Sequence, residues 1–223
     1  MKKILFIGNS YTYFNDMPKS IFEKMAKSVG IDVEVSAITK GGETLAGHQT
    51  EGHVTYGVVS EIFEKVKFDF AVFQEQSDRP ATDPEAYFEA IGRLIKRACG
   101  SGAECVVYGT WPKKAGHKNL EKYGMTVSEM AEKLDASFVS AAERFGARVA
   151  LVGPCFCVSE DESSLPNPYS DDLSHPSYAG SYMAALCILN AVFGTDPVTV
   201  GFDGELDAKE AGVIKETVRK IVL

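Results

Sequence analysis

The sequence predicts an α/β fold, a three-layer α/β/α sandwich built on a five-stranded parallel sheet. Two patterns lead there. Short apolar runs rich in β-branched residues alternate with longer amphipathic stretches, which implies parallel strands joined by right-handed helical crossovers. The strand runs are apolar throughout instead of alternating, as expected when helices cover both faces of a sheet. A third observation sets the scale. The chain has 223 residues, 45% hydrophobic and 24% charged, with no internal repeat and no Pro- or Ser-rich linker. That describes one domain over residues 1–223, large enough to bury a full core without metal or disulfide staples.

The elements follow in order. Residues 4–7 are the first strand. Asp16 caps a helix with Pro18 in its first turn; it runs through Ile21, Phe22, Met25 and Ala26 to Val29 and stops at Gly30. Residues 33–38 are the second strand, and 54–66 have helical spacing through Val58, Val59, Ile62, Phe63 and Val66. Residues 70–73 are the third strand. Asp83-Pro84 opens a helix through Tyr87, Phe88, Ile91, Leu94 and Ile95 that closes near Gly100. Residues 105–108 are the fourth strand, 119–145 hold one or two helices with a break near Gly124, and 149–152 are the fifth strand. An apolar stretch over 178–193 ends at Gly194, and 208–222 is an amphipathic terminal helix.

Lys and Arg number 23 against 31 Asp and Glu, a net charge of -8. That balance argues against nucleic acid or an anionic membrane surface as the main partner. No apolar run approaches the ~20 residues of a membrane helix. The stretch behind Met1-Lys2-Lys3 is too short for a signal-peptide core and reads as buried strand. The five cysteines are an odd count, with no CxxC pair and no Cys/His metal spacing. They read as reduced, mostly buried thiols in a cytoplasmic protein. Cys155 and Cys157 read as packing at a strand end, and residues 161–164 as a mobile loop beside the site.

In open parallel sheets, ligands bind beyond the carboxyl ends of the strands. There is no GxGxxG after the first strand, no GxxxxGK[ST], no HExxH and no GxSxG. Dinucleotide, P-loop phosphate, zincin and ordinary α/β-hydrolase chemistry therefore lose their support. Two constellations remain: Gly8-Asn9-Ser10-Tyr11-Thr12 just past the first strand, and Asp172-Leu173-Ser174-His175 just before the apolar helix. A serine hydroxyl needs a base within hydrogen-bond reach, and that base needs a partner to fix its tautomer. Ser10 as nucleophile, His175 as base and Asp172 as orienter supply the set. Asp171 is adjacent, but the spacing favours Asp172. Pro176 biases His175 toward extended backbone.

These residues carry a resemblance. The sequence resembles the SGNH (GDSL-like) hydrolase superfamily, whose working residues come from separate blocks on a flavodoxin-like fold. Gly8 to Thr12 looks like the first block, with the nucleophile at Ser10. Gly41-Gly42-Glu43-Thr44 looks like the second, in which Gly42 matches the backbone N–H donor of the oxyanion hole. Asp172 to His175 looks like the last block. The third departs from the family's GxND: after the third strand the chain reads Gln74-Glu75-Gln76-Ser77-Asp78. This Gln-x-x-Ser pattern is similar to a branch of the superfamily and to the Gln-Gly-Glu-Ser-Asp stretch of sialate O-acetylesterase-like enzymes. A glutamine amide can donate the hydrogen bond an asparagine would. Gln74 is the favoured donor and Gln76 the alternate.

The resemblance implies acyl transfer through an acyl-enzyme on a small acetyl-type ester, with an acylated sugar as one implied substrate and no metal or cofactor. The oxyanion would be held by the N–H groups of Ser10 and Gly42 and by the Gln74 amide. Two other readings stay open: acyl transfer to an alcohol by the same triad, and a non-catalytic flavodoxin-like module whose Gly8–Thr12 loop cradles an anion. Trp111, after the fourth strand, is either a wall of the substrate pocket or a packing residue. His48 and His53 read as solvated or capping side chains, or as lining the entrance. The basic run Lys113-Lys114-Ala115-Gly116-His117-Lys118 reads as a solvated charge run, with attraction of an anionic substrate as the alternative.

Overall fold

The computed structural model describes residues 1–161 and 164–223. β1 (Lys2–Gly8) is buried from Ile4 onward and feeds α1, a single turn at Ser10–Tyr13. A left-handed pair, Asn15 (φ 55°) and Asp16 (φ 48°), then redirects the chain into a π-helical turn, Met17–Glu23, continued by α2 (Lys24–Ser28). The expected Asp16 cap does not form: Asp16 takes a left-handed backbone in place of the extended one a cap residue adopts, and no helix-start amide donates to its carboxylate. Asp16 Oδ2 instead accepts from Ser20 Oγ at 2.5 Å.

β2 (Val33–Thr39), α3 (Tyr56–Lys65), β3 (Phe70–Phe73), the one-turn α4 (Arg79–Thr82) and α5 (Pro84–Gly100) follow. Asp83 caps α5 by accepting from the Ala86 N–H, with Pro84 at the first helical position. After β4 (Glu104–Gly109), the long helical stretch does break: α6 (Lys118–Tyr123) ends at Gly124, and a Thr126–Glu129 capping box starts α7 (Val127–Phe145). β5 (Arg148–Leu151) leads into α8 (Gly153–Asp161), a helix the sequence analysis does not anticipate. Its sequence, GPCFCVSED, carries no apolar stripe, so periodicity could not announce it. Cys155 and Cys157 therefore sit on a helix and not at a strand end. The loop expected over 161–164 begins inside α8, and its Glu162 and Ser163 lie outside the described residues. α9 (Tyr178–Phe193) and α10 (Ala208–Val222) complete the chain.

All strand pairs are parallel, in the order β2-β1-β3-β4-β5. This is the flavodoxin-like order. Alternate side chains divide the core in two. Ile4, Phe6, Val72, Val106 and Tyr108 face the layer formed by residues 17–28, α9 and α10. Leu5, Ile7, Phe73, Cys105 and Val107 face α3, α5 and α7. Both sides of the central strands are dry, which is why those strands read as unbroken apolar runs. α9 is buried over almost its whole circumference, which accounts for its uniform apolar composition. β1 and β3 are neighbours whose following connections leave toward opposite faces, and this opens a crevice at their carboxyl ends. Among the described residues, no helix is long and apolar enough to cross a membrane.

Phe6 is fully buried and meets Phe22 edge-on at 5.4 Å between sheet and helix layer. Phe6→Ala is expected to lower unfolding free energy by about 3–5 kcal/mol, read as a lower denaturant midpoint.

Candidate active site

Ser10 opens α1 directly past the end of β1. Asn9 caps that turn: its Oδ1 accepts from the Tyr11 N–H at 3.1 Å, and its carbonyl accepts from the Thr12 and Tyr13 N–H groups at 2.9 and 3.2 Å. Asn9 Nδ2 also donates to the Glu43 carbonyl at 2.9 Å, which ties the turn to the loop after β2. At the other end of the chain, residues 172–175 fold back on themselves. Leu173 adopts a left-handed backbone (φ 62°), an uncommon conformation for a branched residue. Asp172 Oδ1 accepts from the Ser174 and His175 N–H groups at 3.0 and 2.8 Å, and Asp172 Oδ2 lies 2.5 Å from His175 Nδ1.

The two segments meet. Ser10 Oγ lies 2.8 Å from His175 Nε2, a contact between residues 165 apart in sequence. With Nδ1–H donated to Asp172, a neutral imidazole presents Nε2 as acceptor for the serine O–H. Phe14 stacks on the imidazole at 4.3 Å and 10°, which fixes the ring plane. Burial works against ionisation of Asp172, but the hydrogen bonds from the His175 ring, the His175 N–H and the Ser174 N–H outweigh it. The carboxyl is held below its usual range. Asp172, and not Asp171, reaches the ring.

A cleft of about 260 Å³ opens over these atoms, bordered by Ser10, Gly42, Gln76, His117, Asn119 and His175 among others. Gly42 has φ +69°, a backbone that L side chains rarely adopt. Its N–H has no acceptor among the described residues. The Ser10 N–H belongs to the amides that a helix start leaves without an intrahelical partner. Gln76 Oε1 accepts from the Asp78 and Arg79 N–H groups at 3.2 Å each. The amide nitrogen is left with only a long 3.4 Å contact to Ser77 Oγ. Among the described residues, no group of three or more His, Cys, Asp or Glu is arranged to hold a metal ion.

No family model and no curated protein matches the chain. Solved structures do. A protein described as an SGNH hydrolase from Slackia heliotrinireducens shares 35% identity over 85% of this chain and 98% of its own, with a TM-score of 0.73. The chain belongs to the SGNH hydrolase family. A DUF4886 family protein from Bacteroides uniformis superposes with a TM-score of 0.81 at 15% identity, covering 99% of this chain and 94% of its own. An acetyl xylan esterase from Geobacillus stearothermophilus reaches 0.60 at 14% identity, over 86% of this chain and 94% of its own. At that identity these two likenesses speak for the fold.

Within this SGNH hydrolase, three expectations need correction. Gln74, the favoured oxyanion donor, is buried beneath the crevice and turned away from it. Its Oε1 accepts from the Asn9 N–H at 2.8 Å and from Thr12 Oγ1 at 2.9 Å, and its amide donates to the Glu75 carbonyl. Gln74 braces the Ser10 turn, and the alternate, Gln76, borders the cleft. Trp111 is 0% exposed, so it is no wall of the pocket. It stacks between Tyr11 and Phe156, and its Nε1–H donates to the Ser174 carbonyl at 3.0 Å, which supports the Asp172–His175 loop from below. His48 is fully buried: its Nε2–H donates to the Gly8 carbonyl at 2.9 Å, and Nδ1 accepts from Thr55 Oγ1 at 2.8 Å. Burial holds it below the usual imidazole range. His53 is a surface partner of Glu43 at 2.9 Å.

Lys113, read from the sequence as part of a solvated charge run, and Glu75, given no role there, both lie buried under the cleft. Lys113 begins the basic run yet is buried, while Lys118 of the same run is exposed. Burial disfavours the charged ammonium, but the Tyr11 oxygen and the Asp78 carboxylate outweigh it and hold Lys113 above the ordinary lysine value. Glu75 is 2% exposed. Its Oε1 accepts from the Leu45 N–H at 3.1 Å and the Gln76 N–H at 2.7 Å, joining the loops that carry Gly42 and Gln76. Glu75 Oε2 and the Tyr87 hydroxyl have no hydrogen-bond partner among the described residues.

Burial raises the Glu75 carboxyl from 4.5 to about 7. Across that window the folded chain keeps a proton that the unfolded chain has released. Stability therefore falls as pH rises from the unfolded value to the folded one, and the loss is complete above it. The fall from this one site is expected to reach about 3 kcal/mol. Glu75→Gln, which keeps the acceptor at Oε1, should remove most of it. Denaturant midpoints at pH 5 and pH 8 for both proteins test this; equal pH dependence in the two would discard the account.

Proposed function

We propose that the chain is a serine esterase acting on small acyl esters, with Ser10 as nucleophile, His175 as general base and Asp172 as orienter. The observation that carries this reading is the unbroken line of hydrogen bonds Ser10–His175–Asp172 at the floor of an open cleft. His175 takes the serine proton as Oγ attacks the ester carbonyl, and returns it to the leaving alcohol. Water then attacks the acyl-enzyme, with the same imidazole as base. The N–H groups of Ser10 and Gly42 and the Gln76 amide hold the oxyanion. On this reading residues 1–223 act as one domain, and the steps need no cofactor.

The size and walls of the cleft support a substrate class. About 260 Å³ suits a short acyl group. Gln76, His117, Lys118 and Asn119 offer hydrogen-bonding groups to a polar leaving group, as a sugar hydroxyl would require. An acetyl ester on a carbohydrate fits both features, and the acetyl xylan esterase among the fold relatives acts on such a substrate by its description.

A fluorophosphonate probe should label Ser10, and Ser10→Ala should abolish both labelling and p-nitrophenyl acetate hydrolysis; full turnover by that variant overturns the assignment. Asp172→Asn should lower kcat by about 10⁴-fold through loss of the productive tautomer. Gln76→Ala should cost about 10²- to 10³-fold in kcat, while Gln74→Ala should show itself chiefly in thermal stability. p-Nitrophenyl esters of increasing chain length should be turned over progressively less well than the acetate.

A further inference from the structure

Lys113 follows β4 in the loop Gly109-Thr110-Trp111-Pro112-Lys113 and is 3% exposed. Its Nζ donates to Tyr11 Oη at 2.6 Å, Ser174 Oγ at 2.7 Å and Ser77 Oγ at 2.8 Å, and lies 3.2 Å from Asp78 Oδ1. An ammonium has three protons and no acceptor, so the three hydroxyls use all of its donors. Those hydroxyls come from three separate segments: α1, the loop after β3 and the loop before α9. Each belongs to the immediate neighbour of a group in the proposed machinery: Tyr11 beside Ser10, Ser77 beside Gln76, Ser174 beside His175.

We propose that Lys113 is the positioning residue that holds the nucleophile, oxyanion and base segments in register, so that its ammonium sets the rate of acyl transfer. The inference rests on the esterase reading above. Packing alone gives no reason for a lysine here, because an apolar side chain would fill the space without the desolvation of a charge. What a cation adds is direction: three bonds leaving one atom fix three segments against one another. Its counter-charge is equally buried. Asp78 is 3% exposed and accepts from Asn119 Nδ2 at 2.5 Å and Ser77 Oγ at 3.2 Å. The hydroxyls also bond one another, Tyr11 Oη to Ser174 Oγ at 2.7 Å, and the ammonium sits 4.9 Å from the Tyr11 ring centre. Attack geometry is sensitive to displacements of about 1 Å, which can change rates about 10²-fold.

Lys113→Met alone leaves Asp78 as an unpaired buried carboxylate, so the test pairs it with Asp78→Asn. The double variant should retain the wild-type circular dichroism spectrum and cooperative unfolding. Its kcat on p-nitrophenyl acetate should fall about 10²-fold with KM within about threefold, and fluorophosphonate labelling of Ser10 should slow in parallel. Tyr11→Phe, Ser77→Ala and Ser174→Ala should each lower kcat severalfold when Lys113 is present and add nothing when it is replaced. A folded double variant with wild-type kcat, or one that changes KM alone, overturns the proposal while the esterase reading stands. If no Lys113 variant folds, the three hydroxyl variants decide: unchanged kcat in all of them also overturns it. A wild-type protein that neither hydrolyses the ester nor takes the probe overturns both readings, so the two failures are distinct.

Discussion

A single contact, 2.8 Å between Ser10 Oγ and His175 Nε2, joins the first loop of the chain to one of its last. Neither segment can make it unaided. Ser10 is presented by a one-turn helix capped by Asn9, and His175 by a loop that closes only with Leu173 in a left-handed conformation. Closing such a loop in an unfolded chain carries a large entropic penalty. The sheet removes that penalty in advance by aligning the carboxyl ends of its strands on one edge. β1 and β3, adjacent in the sheet, set the Ser10 turn beside the Gln74–Asp78 loop, and the segments after β2, β4 and α8 close the remaining sides.

Beneath that edge lies an unusually polar layer. Gln74, Glu75, Asp78, Lys113 and His48 are all nearly or fully buried. Most of their polar atoms are matched: Gln74 by the Asn9 amide, His48 by the Gly8 carbonyl, Lys113 by three hydroxyls and Asp78. Buried networks of this kind specify one arrangement, because any slip leaves a polar group without a partner in a low-dielectric setting. The exception is Glu75 Oε2, and its carboxyl is correspondingly pushed toward neutrality. A site that must hold two loops with one carboxylate accepts instability at that point, as functional sites often do.

The stacked column Phe156–Trp111–Tyr11 links this layer to the apolar core on one side of the sheet. It sets the height of the Asp172–His175 loop through the Trp111 Nε1–Ser174 bond. Core packing and site geometry are therefore continuous: α8, which supplies Phe156, lies in the path between the hydrophobic cluster and the imidazole.

The strands in their order, most of the helices between them, the two-sided burial of the central strands and the segments that meet at the site were legible in the chain itself. Each depends on local signals: apolar runs, caps, glycine stops, and a serine and a histidine placed at loop positions next to strands and helices. α8 was not legible, because GPCFCVSED has no periodicity and gains its helix from burial against neighbours. The roles of Gln74 and Gln76 were not legible either. They are two residues apart on one short loop, share the same chemistry, and differ only in which way the backbone turns them. The choice between wall and packing for Trp111 stayed open, and the burial of Lys113 went unread, for the same reason. A sequence records what a side chain is, and through periodicity which side of an element it takes. Whether a loop residue meets water, a cleft or another loop is decided by neighbours brought from distant parts of the chain, and only the folded arrangement supplies those.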